Sequence, residues 1–173
     1  RQAMKLAAEA SDTPTAPSAW AAATAARARV SLARPGEARE YAQRARAEAA
    51  EIGSAGAEAD ALVTLAVIDD YHGLADSVPE LLGRARDLAQ EAGDLPTEMR
   101  VSYNLAADRY DAGDIDGALR LVDAAVERSV ATGLSWSPYG LELRVLQVVA
   151  RFVSGDWDGS AAAARLAGRR PPD

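Results

Sequence analysis

Residues 104–127 read NLAADRYDAGDIDGALRLVDAAVE, and their pattern decides the fold. Leu105, Ala106 and Tyr110 recur at helical spacing, and then Ala112-Gly113-Asp114 interrupts the run. Ala118, Leu119, Val122 and Ala125 resume it on one side of a second helix. Glycine ends the first segment and a short polar residue stands where the next would be capped. The stretch therefore predicts two helices joined by a tight turn.

The same unit returns along the chain. Gly53, Gly93 and Gly133 stand 40 residues apart, and Gly73 and Gly113 repeat that interval. Before the first three lie EAREYAQRARAEAAEIG (37–53), DSVPELLGRARDLAQEAG (76–93) and DGALRLVDAAVERSVATG (116–133), each apolar at helical spacing and closing on glycine. Their partner helices are predicted over 18–32, 57–72, 97–111 and 139–153. Short breaks at 33–37, 72–76, 112–116 and 154–158 separate the members of each pair. A fixed period of this length is the signature of a repeat architecture. The reading is a half repeat over 1–13, then repeats over 18–53, 57–93, 97–133 and 138–168, in one domain spanning 1–168, with 169–173 as a linker. The opening residues Ala3–Asp12 resemble Ala85–Asp94, so the chain starts within a repeat. Together with the missing initiator Met, this predicts a piece of a longer protein.

Composition agrees with an all-α fold. Of 173 residues, 41 are Ala, while Phe and His occur once each. Ala has the best helix propensity, and strand-forming aromatics are sparse. The absence of Cys excludes disulfides, thiol nucleophiles and cysteine-held metal or iron–sulfur centres. A net charge of −7 argues against phosphate-backbone binding by this segment, which needs a basic stripe. No apolar run is long enough to span a membrane, and the N-terminal residues lack a secretory core. A cytoplasmic location and no cofactor are expected. The 18 Arg against a single Lys, with the abundant Ala, read as the coding habit of a GC-rich bacterium.

Spacing within the units resembles the tetratricopeptide (TPR) pattern. With Ala33, Gly73, Gly113 and Gly155 as turn residues, Ala26, Ala66, Ala106 and Val148 stand seven positions earlier. Ala38, Val78, Ala118 and Ser160 stand five after, and Ala45, Ala85, Ala125 and Ala167 twelve after. Small residues at such places let two helices approach closely. The period of 40 departs from the TPR value of 34, and the early Trp and closing Pro are absent. The longer period predicts longer helices. A 40-residue period also suits HEAT repeats, so the expected class is a TPR-like α-solenoid of about four helix–turn–helix units.

Residues 127–160, ERSVATGLSWSPYGLELRVLQVVARFVSGDWDGS, resemble the C-terminal repeats of large LuxR-type, maltose-activator-like bacterial transcription regulators. The resemblance rests on Gly133-Leu134, Tyr139-Gly140 and Gly155-Asp156-Trp157-Asp158, and extends loosely back to about residue 57. It implies an ATP-dependent module before the repeats and a DNA-binding helix-turn-helix after them. Neither lies in this sequence, which carries no GxxxxGK[ST] loop. This segment would then be the sensor or interaction part of such a regulator.

Candidate chemistry is thin. Asp69, Asp70 and His72 form the nearest approach to a metal or acid–base cluster; a solvated helix end is the plainer account. Asp114-Ile115-Asp116-Gly117 has part of a calcium loop, but Ala112 stands where the first ligand is needed, and a turn with an N-cap explains it better. The stronger candidates follow from repeat geometry, because the first helix of each TPR hairpin lines the concave groove. Arg100, Tyr103, Tyr110 and Asp111 share one helix, with Asp70, Tyr71 and Phe152 at near-equivalent places in neighbouring units. Rings beside Arg and Asp suit a peptide or small ligand. Packing between repeats is the competing role for each ring. The expected partners are another protein, a different domain of the same chain or a small inducer, with a second copy as a further candidate. The alternatives are a pure self-association scaffold and a metal-dependent enzyme built on Asp69, Asp70 and His72.

Overall fold

The computed structural model describes residues 13–168. Among these residues there are eight α-helices: α1 (Ala16–Ser31), α2 (Pro35–Glu51), α3 (Ala55–Tyr71), α4 (Val78–Ala92), α5 (Leu95–Asp111), α6 (Ile115–Ala131), α7 (Pro138–Ser154) and α8 (Trp157–Ala167). A single 3₁₀ turn, Ala75–Ser77, precedes α4. No strand occurs among the described residues. The chain is an all-α, TPR-like α-solenoid. The expected half repeat over 1–13 and linker over 169–173 lie almost wholly outside the described residues.

The period has a simple origin. A helix of 17 residues and a three-residue break make 20, and two of these make 40. Each of the seven breaks holds one residue in the left-handed region. Six are glycines, at 53, 73, 93, 113, 133 and 155, and the seventh is Ala33 at φ 54°. A Cβ makes that region costly, which is why glycine recurs on a 20-residue beat.

Side chains cap the starts of α1, α6, α7 and α8. Thr15 and Ser18 form a reciprocal capping box, with Thr15 accepting from the Ser18 N–H and Ser18 accepting from the Thr15 N–H. Asp114 accepts from the Gly117 N–H at 2.9 Å, Ser137 from Gly140 at 3.1 Å, and Asp156 from Gly159 at 2.9 Å. The Asp114 carboxylate is thus a helix cap, as the turn reading of that segment expected.

The described helices fall into two compact units that divide between Thr97 and Glu98. In the first, α1 packs on α2, α2 on α3, α3 on α4, and α1 also meets α3. Its first three helices meet through alanine. Ala22, Ala23, Ala45 and Ala61 form one fully buried cluster, and Ala19, Ala49 and Ala57 another, flanked by Trp20 and Ile52. In the second unit the core is built from longer side chains. Met99, Ala106, Val122, Ala125 and Leu143 come together from α5, α6 and α7, with Tyr103, Leu119, Tyr139 and Leu146 against them.

The positions read as small and buried are so in the first three units. Ala26, Ala66 and Ala106 are buried, as are Ala45, Ala85 and Ala125, and Ala38, Val78 and Ala118. The fourth unit keeps Ser160 buried but leaves Val148 and Ala167 half-exposed. It is offset because the break before α7 is six residues long, 132–137.

Candidate interaction surface

α1, α3 and α5 each end two residues before their left-handed turn residue and α7 ends one before, so positions counted back from the turn are equivalent between units. Asp70-Tyr71 on α3 and Tyr110-Asp111 on α5 occupy the places three and two before the turn, and Phe152 on α7 stands three before. Tyr71 is 77 % exposed and meets the neighbouring His72 ring edge-on, with centroids 5.5 Å apart. Asp70 and Asp111 are exposed, Tyr110 is half-buried, and Phe152 is 63 % exposed. Beside Tyr71 lies an apolar cleft of about 130 Å³, lined by Val30, Ala33, Pro35, Val67 and Ile68.

Arg100 and Tyr103 are placed differently. Arg100 is buried, and its backbone carbonyl accepts from the Asn104 side-chain amide at 2.8 Å. Tyr103 lies against the Met99–Leu143 cluster, with its ring tilted 48° to that of Tyr139 at 5.9 Å. Burial pushes its hydroxyl above the usual tyrosine range, and the negative charges of Glu142 and Asp111 add to this. Tyr103 therefore wedges α5 against α7, the packing role that competed with the groove role. Asp70 and Tyr71 belong to the first unit; Arg100, Tyr103, Tyr110, Asp111 and Phe152 belong to the second.

Asp69 and His72, two of the three residues weighed as a metal cluster, are bonded within the fold, while Asp70 is exposed. The Asp69 carboxylate accepts from Arg39 at 2.6 Å and from the Ser77 hydroxyl at 2.8 Å. Burial raises its pKa, but these donors outweigh burial and hold the carboxyl below its ordinary value. The His72 Nδ1–H donates to the Ile68 carbonyl at 2.7 Å. No group of three metal-ligating side chains gathers anywhere among the described residues. Asp69 ties α2 to α3 and to the 3₁₀ turn.

Two further surfaces stand out, the second of which includes Phe152, already placed on the groove by repeat geometry. The first is a cleft of about 280 Å³ lined by Val126, Val130, Trp136, Arg144, Gln147 and Leu166. There the Arg144 guanidinium stacks over the Trp136 ring at 4.9 Å. The lone Trp in the long break before α7 was the available signal. The second is the outer side of α7, where Leu141, Val145, Val149 and Phe152 stand exposed at helical spacing. No described helix is long and apolar enough to cross a membrane.

Comparison with known proteins bears on the fold. The chain is similar to a variant form of a Podosopora anserina kinesin light chain-like protein of nearly identical TPR-like repeats. That match has a TM-score of 0.66 and 16 % identity, and covers 95 % of this chain and 79 % of the other. A second structure of the Podosopora anserina protein matches with a TM-score of 0.63, again at 16 % identity, over 95 % of this chain and 80 % of that one. No family model and no curated protein matches the sequence. At this identity the likeness is one of fold, and it places these repeats among TPR-like ones over nearly the whole chain.

Proposed function

We propose that the chain is a non-catalytic interaction or sensor domain, and that its parent is a LuxR-type bacterial transcription regulator. In that setting it binds a partner protein, another domain of the parent or a small inducer, and the bound state shifts the parent between inactive and active forms. Such a shift requires different affinity for the two forms. One observation carries the interaction role. The first helices end in exposed Asp70-Tyr71, Asp111 and Phe152, while the lone His and the one buried carboxylate beside it are already bonded within the fold. The TPR-like fold supports the same reading, since TPR-like repeats generally mediate protein–protein contact. The parent's class rests on the Gly133-Leu134, Tyr139-Gly140 and Gly155–Asp158 resemblance alone.

Site-specific photocrosslinking in the native host tests the interaction role. A photoreactive phenylalanine replacing Tyr71 or Phe152 is expected to give discrete protein adducts, whereas the same probe at Arg46, exposed on α2, is expected to give none. No adduct at Tyr71 or Phe152, or an identical pattern from Arg46, overturns the assignment. The coding sequence on either side tests the regulator setting, which requires a Walker-type loop upstream and a helix-turn-helix downstream.

A further inference from the structure

Two positions of α7 carry long polar side chains where earlier first helices carry small or apolar ones. Counted back from the turn residue, these are the eleventh and the eighth. The eleventh is Ala22 in α1, Leu62 in α3 and Ser102 in α5, but Arg144 in α7. The eighth is Ala25, Leu65 and Leu105, but Gln147 in α7. Ala22, Ala25, Leu62 and Leu65 are all buried, so these positions belong to the interior of a unit. Beside Arg144 and Gln147 that interior opens into the cleft of about 280 Å³. Val126 and Val130 of α6 line one side of it and Leu166 of α8 the other, and Trp136 enters from the long break before α7. The cleft is thus bounded on both sides by helices of its own unit.

The polar groups in it have donor and acceptor capacity left over. The Arg144 guanidinium sits over the Trp136 ring at 4.9 Å, a contact that engages the cation without using an N–H hydrogen bond. Its hydrogen bond within the described residues is a long one, 3.5 Å from Nη1 to the Leu166 carbonyl. Arg27, Arg29, Arg39 and Arg151, which are likewise not fully exposed, each hold a carboxylate, at 3.4, 2.7, 2.6 and 2.7 Å. Arg144 holds none among the described residues. The Gln147 amide donates to Asp123 at 2.7 Å, which leaves its carbonyl oxygen to accept. Asp123 is itself paired with Arg151, and Arg144 is the one charged side chain among the described residues lining the cleft.

We infer that this cleft binds a small carboxylate with an apolar body, its carboxylate on the Arg144 guanidinium and its body among Trp136, Val126, Val130 and Leu166. This deepens the small-inducer form of the proposed function and rests on it. A guanidinium offers two parallel N–H donors that match a carboxylate, and the apolar side chains give the rest of the molecule area to bury. The space lies just below the roughly 300–1,000 Å³ of common small-ligand pockets, which suits one ring with a short acid chain. An extended peptide would instead need a long groove, at about 3.3 Å per residue.

Titration with 3-phenylpropionate, followed through the indole N–H signals by NMR, is the direct test. The chain has three Trp, and Trp136→Phe assigns the relevant signal. That signal is expected to shift saturably, with a dissociation constant in the millimolar range, while those of Trp20 and Trp157 stay in place. The uncharged 3-phenylpropanamide is expected to bind about 10-fold more weakly or worse. Arg144→Gln is expected to abolish that difference and keep the thermal midpoint, because Arg144 holds no carboxylate in the fold. Val130 is 60 % exposed, so Val130→Phe is tolerated by the fold and is expected to block the cleft against acid and amide alike, which keeps the test open should Arg144→Gln not fold. The absence of a saturable shift overturns the inference. So does equal binding of acid and amide, or acid binding that Arg144→Gln or Val130→Phe leaves unchanged. A silent cleft with crosslinked adducts still formed at Tyr71 or Phe152 overturns this site and leaves the broader interaction reading intact, so the two fail separately.

Discussion

The first three helices and helices α5–α7 solve one packing problem with different materials. Around α1, α2 and α3 the contact is mainly alanine on alanine, with Ala22, Ala23, Ala45 and Ala61 all fully buried and Leu65 the larger exception beside Ala26 and Ala42. Around α5, α6 and α7 it is Met99, Val122 and Leu143, with two tyrosines between the helices. Alanine lets backbones approach closely but buries little apolar area per residue, at about 25 cal/mol per Å². The larger residues bury more and leave more to lose. The two regions should therefore fail in opposite ways, one when a side chain grows and the other when it shrinks.

The largest effect is expected in the second unit. Leu143→Ala should cost about 2–5 kcal/mol, because it removes a fully buried side chain from a cluster fed by three helices. A urea titration followed by circular dichroism checks this, and a loss below about 1 kcal/mol would mean that the cluster closes up around the gap. The mirror experiment is Ala45→Leu in the first unit, expected to cost about 1–3 kcal/mol by overpacking. A neutral result there would show slack between α1, α2 and α3 and erase the contrast.

Smaller effects sharpen the comparison at the breaks. Ala33 is the sole non-glycine residue at a left-handed turn among the described residues. Ala33→Gly should raise stability by about 0.5–1 kcal/mol, read as a higher denaturation midpoint; an unchanged or lower midpoint would mean that the α1–α2 turn bears no strain at Ala33. The smallest effect is expected at Asp69, and it depends on pH. Its carboxyl titrates below the ordinary value in the folded chain, so its contribution is complete above about pH 4 and is lost as pH falls through the depressed folded value. Asp69→Asn should therefore lower the thermal midpoint at neutral pH, with the gap to the parent narrowing at strongly acidic pH. A gap that stays constant with pH would assign the loss to packing.

The repeat length, the turn residues and the small positions were legible because each is a local demand of the backbone. A left-handed turn asks for glycine and a close helix contact asks for alanine, wherever the helices go afterwards. The motif behind the regulator resemblance has the same character. Gly133 and Gly155 sit at φ 72° and 87°. A Cβ on Gly140 would overlap the Leu134 backbone carbonyl, and one on Gly159 would overlap the capping Asp156 carboxylate. Those residues hold the turns on either side of α7. The individual site residues were harder to read. Tyr103 and Tyr110 lie seven apart on one helix, yet Tyr103 is turned into the α5–α7 contact while Tyr110 is only half-buried. Which ring meets a neighbour depends on the rotation of the next helix, and period alone does not contain it. On α7 the register picked out Phe152, but how much of that face stands exposed depends on what stacks beside it.

The 20-residue beat constrains how such a gene can change length. Deleting one residue inside a helix turns every later side chain of that helix by about 100°, exchanging buried for exposed faces. Deleting 20 keeps the faces but swaps a first helix for a second. Deleting 40, as from residue 55 to residue 94, returns every later helix to its own place in the pattern. Length variation in related genes should therefore come in whole repeats, with short insertions confined to the six-residue break at 132–137, where the beat is already broken.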